Sequence, residues 1–351
     1  MQSRRNWIKL GAAALAAPMV AKPRIDEYDP ANTKIAHRLS ANITDDEMLF
    51  LQQIGLRWAR VEFGTAPTPL DKIAALQKRF AKHDIRIFSG VHYAYRQLDV
   101  QLGRGDRDKH IDTYRQFVRD CGKLGIPVCS YDFHPANTYT TNMVKRRGYQ
   151  SREFRLDDFR NKIEKQAFER EYSADDIWNT YTYFCKAVQP VADEAGVTLA
   201  LHPDDPPIAK MNGVAKLFVH YDGYRRAELI SGGSKYWGLT FCVGTWSEGG
   251  DKMGKDVFGM IKDFGSRGKI AEVHFRNVTG PLPNFVETFP DDGYMDMYQV
   301  MKALRVAKVT GAAEPDHVPR LAGDTGMLRA GTAYCITHMR SLLRRANEEV
   351  G

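Results

Sequence analysis

The strongest constraint on the fold is a regular alternation of short apolar segments with helical patterns along the chain. The apolar segments are often rich in β-branched residues, which is typical of buried strands in parallel sheets. The sequence predicts eight strands, at Lys34–Ser40, Arg57–Phe63, Ile85–His92, Ile126–Phe133, Val197–His202, Trp237–Val243, Lys269–Arg276 and Ala312–His317.

Helical patterns separate these strands, and several begin with a capping residue or with a proline, which the first turn of a helix tolerates. Eight strand–helix units within 351 residues imply right-handed crossovers and a single α/β domain, a (β/α)8 TIM barrel. The predicted helices are Asp45–Ile54, Pro69–Lys82, Ala174–Ala195, Val257–Phe264, Tyr294–Val309 and Gly331–Asn347.

One long segment, residues 138–171, breaks the alternation directly after the fourth strand. It is polar and charged, and it follows the carboxyl end of a strand, where TIM barrels carry their active sites. Two interpretations remain open for this insertion, a lid over the site or a solvated surface excursion.

The amino terminus has the pattern of an export signal. Arg4 and Arg5 precede Trp7 and a short alanine-rich apolar stretch, Leu10–Ala17, which resembles a twin-arginine signal peptide. We therefore expect residues 1–22 to be a signal peptide, residues 23–351 to form the barrel catalytic domain, and the protein to be periplasmic. No apolar run reaches the 18 residues that a membrane span needs.

The charge and the cysteines exclude several classes of protein. The net charge is +7, yet the 50 basic residues are scattered among 43 acidic ones, so a nucleic-acid partner is not indicated. The five cysteines include no C-x-x-C spacing, so a disulfide scaffold or a structural zinc site is not indicated either. An anionic small molecule is a better match to this composition.

The last four predicted strands each end at a side chain that can bind a metal: His202, Cys242, His274 and Asp316. Each alone has an ordinary explanation, such as a buried thiol or a hydrogen-bonded core histidine. Four in succession on one rim of a barrel predict a site for Mn²⁺, Fe²⁺, Co²⁺ or Zn²⁺, since Mg²⁺ and Ca²⁺ prefer oxygen ligands alone.

Two carboxylates follow the first of these donors. Asp204 and Asp205 lie in the segment HPDDPP, just past His202 and held between prolines. We expect them to orient metal ligands or to bind substrate hydroxyls.

The segments HPDDPP, FCVG, HFRNV, GYMDM and PDH together resemble the mannonate dehydratase family. The resemblance covers most of the chain after the signal and is strongest from about residue 180 to residue 317. It implies a metal-dependent barrel of hexuronate breakdown that removes water from a six-carbon sugar acid and yields a 2-keto-3-deoxy acid. The implied cofactor is Mn²⁺ or Fe²⁺, bound by the four strand-end residues.

The resemblance also implies roles beyond the metal. His317 would be a catalytic acid or base, and Tyr334 would be a second proton-transfer group, with ordinary aromatic packing as the alternative. Arg276 shares a face with His274 and would hold the substrate carboxylate, with a structural ion pair as the alternative. Which of His317 and Tyr334 is the acid stays open.

The chain departs from the family pattern at His134, where methionine is common, and at Trp246 and Glu248, where smaller residues are expected. The insertion, expected to be helical, is also shorter than in many relatives. These departures and the export signal keep an alternative open, another xylose-isomerase-like isomerase, epimerase or lyase acting on an oxidised or glycosylated sugar. A sugar-acid-binding protein without catalysis is disfavoured by the complete donor set and His317. The oligomeric state, including a homo-oligomer, is left open.

Overall fold

The computed structural model describes residues 28–350, in which eight parallel strands close into a barrel. This confirms the predicted fold, and each barrel strand lies within one of the predicted segments. The predicted signal peptide, residues 1–22, lies outside the described residues. The barrel strands, in chain order, are β1 (Lys34–Ser40), β2 (Trp58–Phe63), β3 (Arg86–His92), β4 (Val128–Tyr131), β7 (Thr198–Leu201), β10 (Trp237–Cys242), β11 (Ile270–His274) and β14 (Ala312–Glu314).

The helices pack around this barrel through apolar faces. The helix α4 was not predicted, because charged residues dominate its sequence, although Ile111, Tyr114, Phe117, Val118 and Cys121 are buried at helical spacing. None of the helices within residues 28–350 is long and apolar enough to cross a membrane. The α-helices are α1 (Asp45–Gln53), α2 (Leu70–Ala81), α3 (Leu98–Leu102), α4 (Arg107–Lys123), α5 (Leu156–Asp158), α6 (Ala174–Ala195), α7 (Tyr221–Ile230), α8 (Val243–Gly249), α9 (Val257–Met260), α10 (Met297–Val306) and α11 (Arg329–Val350), with 3₁₀ turns at Tyr93–Arg96 and Gly250–Met253 and π turns at Phe159–Ile163 and Ile261–Gly265.

The insertion after β4 is mainly a β-hairpin and not the helical segment expected from the sequence. Its second strand pairs with the second of two paired strands that follow β11, so that two distant loops build one antiparallel sheet, which we call the capping sheet. Its apolar side includes Phe154 and Phe285, which stack on each other. The capping sheet consists of β5 (Asn142–Arg146), β6 (Tyr149–Arg155), β12 (Asn277–Val278) and β13 (Asn284–Thr288), and a smaller pair, β8 (Lys210–Met211) and β9 (Val214–Ala215), lies after β7.

The barrel interior is polar near its catalytic rim. Arg60 donates to the Ser130 hydroxyl at 3.0 Å and lies 3.5 Å from a Glu314 oxygen, and Thr240 donates to Glu272 at 3.0 Å. Buried polar groups are stable only when they are paired in this way. The network fixes the ends of the strands from which the site is built.

Candidate metal centre and active site

Three potential metal ligands meet at the carboxyl ends of adjacent strands. His202 follows β7 directly, Cys242 ends β10, and His274 ends β11, where it is paired in register with Cys242. One nitrogen of each histidine and the thiol sulfur all lie within 4.8 Å of one another. The structure therefore brings together three of the four residues predicted as ligands in one compact cluster.

Hydrogen-bond partners orient both imidazoles toward this cluster. The His202 Nδ1 lies 2.7 Å from the Pro203 carbonyl oxygen, so Nδ1 carries the hydrogen and the lone pair on Nε2 faces inward. The His274 Nε2 lies 3.1 Å from Glu314 Oε1, which leaves Nδ1 to face His202 Nε2 at 3.1 Å. Such partners fix the tautomers of metal-binding histidines in known sites.

The Cys242 thiol is fully buried in a positive environment. Burial alone would raise its pKa, but the Arg276 guanidinium, together with His202 and His274, outweighs burial and holds the pKa well below its usual range. The sulfur also accepts from the Thr245 amide at 3.4 Å. The thiolate, which is the metal-binding form of cysteine, is therefore favoured.

Asp316, the fourth predicted ligand, lies beside the cluster. Its Oδ2 is 3.7 Å from His274 Nδ1 and 3.3 Å from Arg276 Nε, and Oδ1 is 3.8 Å from an Arg38 nitrogen. Burial would raise the pKa of this carboxyl, but the neighbouring His317, His274 and Arg276 hold it well below its usual range. Asp316 is thus an ionised carboxylate at the edge of the cluster.

A cavity of about 260 Å³ opens above the cluster and is lined by His202, His274, Asp316 and His317. The His317 Nδ1 lies 2.7 Å from Glu287 Oε1, and its Nε2 lies 3.7 Å from Asp316 Oδ1. A carboxylate on one ring nitrogen orients the imidazole and stabilises its protonated form. His317 is therefore arranged as a proton-transfer group that faces the cavity.

Arg276, predicted to bind the substrate carboxylate, is instead buried among side chains of the protein. Its Nη2 lies 2.8 Å from Asp205, its Nε lies 3.3 Å from Asp316, and its Nη1 lies 3.0 Å from Glu248 and also donates to Glu287. No part of the side chain is exposed. Because protein carboxylates occupy its donors, Arg276 has the structural ion-pair role that was the alternative reading.

The side chain of Arg276 requires glycine at position 244. A Cβ on Gly244 would overlap the guanidinium of Arg276. The departure at Glu248 is also explained, because this side chain is one of the carboxylates that balance Arg276.

The two aspartates of the HPDDPP segment separate in space. Asp205 lines the cavity, as predicted for a substrate-binding or ligand-orienting residue. Asp204 is fully buried and accepts from the amides of Leu217 and Phe218 at 3.0 and 2.8 Å. The Asp204 carboxylate stabilises the backbone at residues 217–218 and does not line the cavity. This position does not support the predicted role of Asp204 in substrate binding.

Tyr334 is placed away from the cavity lining, which conflicts with its predicted catalytic role. It lies on α11 with 39% of its surface exposed, and its hydroxyl donates to Asp291 at 2.6 Å. Its ring packs against Phe289 and stacks on His338. The packing alternative stated for this residue therefore fits the structure.

We expect Tyr334→Phe to keep kcat within about twofold of the unmodified enzyme, because the hydroxyl of Tyr334 bonds to Asp291 and Arg147 outside the cavity lining. Steady-state rates on an aldonic acid substrate would test this. A loss of kcat of tenfold or more with unchanged thermal stability would return Tyr334 to the catalytic machinery.

Comparisons with known proteins agree with this geometry. The family model described as UxuA, D-mannonate dehydratase, matches residues 69–166 and 149–349. The chain belongs to the D-mannonate dehydratase family. A mannonate dehydratase of Streptococcus suis is 30% identical over 283 residues, which cover 73% of this chain and 76% of that protein. Mannonate dehydratase 2 of Halalkalibacterium halodurans is 28% identical over 286 residues, covering 74% and 81%.

Solved structures of the D-mannonate dehydratase family and of other barrels are also similar. The crystal structure of mannonate dehydratase from Streptococcus suis serotype 2 matches with a TM-score of 0.81 and 26% identity, covering 91% of this chain and 96% of that chain. A structure of L-ribulose 3-epimerase matches with a TM-score of 0.58 at 13% identity, covering 90% and 96%. The second similarity concerns the fold alone.

Several residues at the site of this family member were not predicted. Tyr139 and Arg152 line the cavity and come from the insertion, where the sequence carries no periodic signal that marks a site. Glu287 contacts His317 and comes from the capping sheet. His134 was noted only as a departure from the family pattern. These residues lie either near the carboxyl end of β4 or in the capping sheet. The sequence feature that pointed to this region was the insertion, for which a lid was one of the two interpretations.

Proposed function

We propose that the chain is a metal-dependent hydro-lyase that converts D-mannonate, or a close analogue, into 2-keto-3-deoxy-D-gluconate and water. The observation that best supports this is the arrangement of His317 and its partner Glu287 beside the His202–Cys242–His274 cluster, in a chain of this family. A proton-transfer group next to a cation site is what elimination of water from a sugar acid requires.

The residues of the cluster fit a transition-metal cation. Two imidazole lone pairs and a favoured thiolate face one another, and the carboxylate of Asp316 lies next to them. His202, Cys242, His274 and Asp316 would hold the cation, and the mixture of nitrogen, sulfur and oxygen donors suits Mn²⁺ or Fe²⁺, with Co²⁺ and Zn²⁺ as the other candidates. When bound, such a cation would stabilise the negative charge that develops on substrate oxygens.

The protein groups provide the remaining steps. His317, oriented by Glu287, accepts the proton from C2 of the sugar acid. Loss of the C3 hydroxyl as water leaves an enol, which becomes the 2-keto-3-deoxy acid. Arg152 lines the cavity and has no ion-pair partner within residues 28–350, so it replaces Arg276 as our candidate for binding the substrate carboxylate.

A substrate screen tests the proposal directly. The Mn²⁺-loaded protein is expected to convert D-mannonate to a product scored as a 2-keto-3-deoxy acid, and related aldonic acids would define the range. Isomerised or epimerised products from oxidised glycosides, without dehydration of any aldonic acid, would favour the alternative xylose-isomerase-like activity. Binding of aldonic acids without turnover would contradict an enzymatic function.

We expect Cys242→Ser to lower metal occupancy and turnover together, each by at least tenfold, because a neutral hydroxyl is a poor replacement for a thiolate. Metal analysis after gel filtration and initial rates would be measured on the same preparation. Cys335→Ser, at a buried cysteine outside the cluster, is the matched control. Full metal content and full rate in Cys242→Ser would make Cys242 a simple core residue.

We also propose that the protein is exported after folding by the twin-arginine route and acts in the periplasm. Arg4 and Arg5 before the apolar stretch support this, and the first strand of the barrel begins only at Lys34. Changing both arginines to lysine is expected to retain active, uncleaved enzyme in the cytoplasm. Unchanged periplasmic activity of that variant in cell fractions would reject the proposal.

A further inference from the structure

A second group of titratable side chains reaches the cavity from β4 and the start of the insertion. The Tyr139 hydroxyl lies 2.8 Å from His134 Nε2, and Asp132 Oδ1 lies 3.3 Å from the same nitrogen. Tyr139, His134 and Asp132 all line the cavity. The chemistry assigned so far uses none of them.

This group is held rigidly. Asp132 accepts from Arg96 Nε at 2.7 Å and from the Tyr95 hydroxyl at 3.0 Å, and its own position fixes the histidine next to it. The loop that carries Tyr139 is tied down by Asn137, whose amide donates to the Asp205 carbonyl at 2.8 Å. A side chain with such support keeps its geometry when a substrate binds.

Tyr139 also lies close to His317. Their ring centroids are 6.1 Å apart with an edge-to-face arrangement, and both residues line the same cavity. One small substrate can therefore contact both groups. Elimination of water needs two proton-transfer groups, one at C2 and one at the departing C3 hydroxyl, and Tyr334 is not placed to be the second.

We propose that Tyr139 is the general acid that protonates the C3 hydroxyl, while His317 removes the C2 proton; this rests on the dehydratase function proposed above. His317 first takes the C2 proton, and the electron pair of the C2–H bond stays on the substrate as an enediolate. That pair then forms the C2–C3 double bond, the C3–O bond breaks, and the phenol proton leaves with the hydroxyl as water. The Nε2–H of His134 donates to the phenolate oxygen, which is reprotonated from solvent, while His317 releases its proton to solvent. The resulting enol tautomerises to the 2-keto acid, so atoms and charges balance.

The environments of the two groups agree with these roles. Burial, with Asp132 nearby, raises the pKa of Tyr139, so the phenol stays protonated at neutral pH and is available as a donor. Burial lowers the pKa of His134 to about 3, so this ring is neutral and carries one hydrogen to share. Glu287 Oε1 lies 2.7 Å from Nδ1 of His317 and so orients its ring in the cavity.

The test is Tyr139→Phe in the full-length, Mn²⁺-loaded protein, with turnover and C2 hydrogen exchange followed together in D₂O by NMR. We expect kcat to fall by about 10²–10⁴-fold, while metal content and melting temperature stay unchanged. Exchange of the C2 hydrogen of D-mannonate for deuterium should continue, because His317 is intact. His317→Asn should lose both exchange and turnover, and Tyr334→Phe is the matched tyrosine control.

The outcomes are distinct. Turnover by Tyr139→Phe at the rate of the unmodified protein overturns the assignment of Tyr139. Loss of C2 exchange together with turnover in this variant also overturns it as the acid, because the group then acts at C2 or positions the substrate. Turnover by the unmodified protein tests the dehydratase function separately from the role of Tyr139. If the unmodified protein dehydrates no aldonic acid, the dehydratase function itself is contradicted.

Discussion

Replacing His317 by asparagine is expected to lower kcat by about 10²–10⁴-fold, the usual contribution of a positioned acid–base group, while the metal content stays unchanged. Asparagine keeps a hydrogen-bonding side chain of similar length but cannot accept and release a proton near neutral pH. Its neighbour Asp316, and not His317 itself, lies against the metal-binding cluster. Proton transfer and metal binding should therefore separate in this variant.

The measurements are kcat on the best aldonic acid and metal stoichiometry by elemental analysis. His338→Asn is the matched control, because His338 lies on α11 and stacks on Tyr334 outside the cavity lining. Loss of metal from His317→Asn would show that His317 is a ligand or its support. An unchanged kcat would remove His317 from the mechanism.

Replacing Arg276 by methionine is expected to lower the free energy of unfolding by about 3–5 kcal/mol, the cost typical of removing one partner from a buried ion pair. Methionine has a similar volume but leaves Asp205, Glu248 and Glu287 without their common positive partner. These buried acidic groups, and Asp316, which also lies 3.3 Å from Arg276, must then rearrange. For a chain of this size, a loss of about 1 kcal/mol shifts the melting temperature by roughly 1–2 °C.

Thermal unfolding with and without added metal would test this expectation. Arg345→Met is the matched control, because Arg345 is largely exposed and contacts Glu349 and the Tyr298 ring at the surface, so its removal should change the melting temperature little. If Arg276 instead held the substrate, Arg276→Met would raise KM and leave the melting temperature unchanged. That result would contradict the structural role.

The sequence was sufficient for the barrel because each barrel strand is a local feature. β1, for example, was predicted with the boundaries that the structure has, Lys34–Ser40, since its apolar residues lie close together in the sequence. The rim donors could be predicted for the same reason, because the residue at the end of each parallel strand must face one edge of the barrel. The structure places His202, Cys242 and His274 together on that edge.

Contacts between distant segments could not be predicted in this way. Arg276 lies two residues past His274, which correctly placed it near the site, but Glu248 and Glu287 come from other loops and occupy its donors. The capping sheet was missed because β5 and β6 are mostly polar and pair with β13 far along the chain. Tyr334 was assigned from the resemblance alone, and its position on α11, outside the cavity lining, could not be predicted because a helical position does not reveal which side faces the cavity.

The capping sheet and the barrel seam also determine when activity can arise during synthesis. Phe154 of β6 pairs with Phe285 of β13, and Lys34 of β1 pairs with Ala312 of β14, so both pairings join early and late parts of the polypeptide. Such long-range pairings form slowly and only after the later partner has left the ribosome. The cluster of His202, Cys242 and His274, together with Asp316, Glu287 and the cavity, is therefore assembled only when translation is nearly finished, and an incomplete nascent chain cannot carry out the reaction.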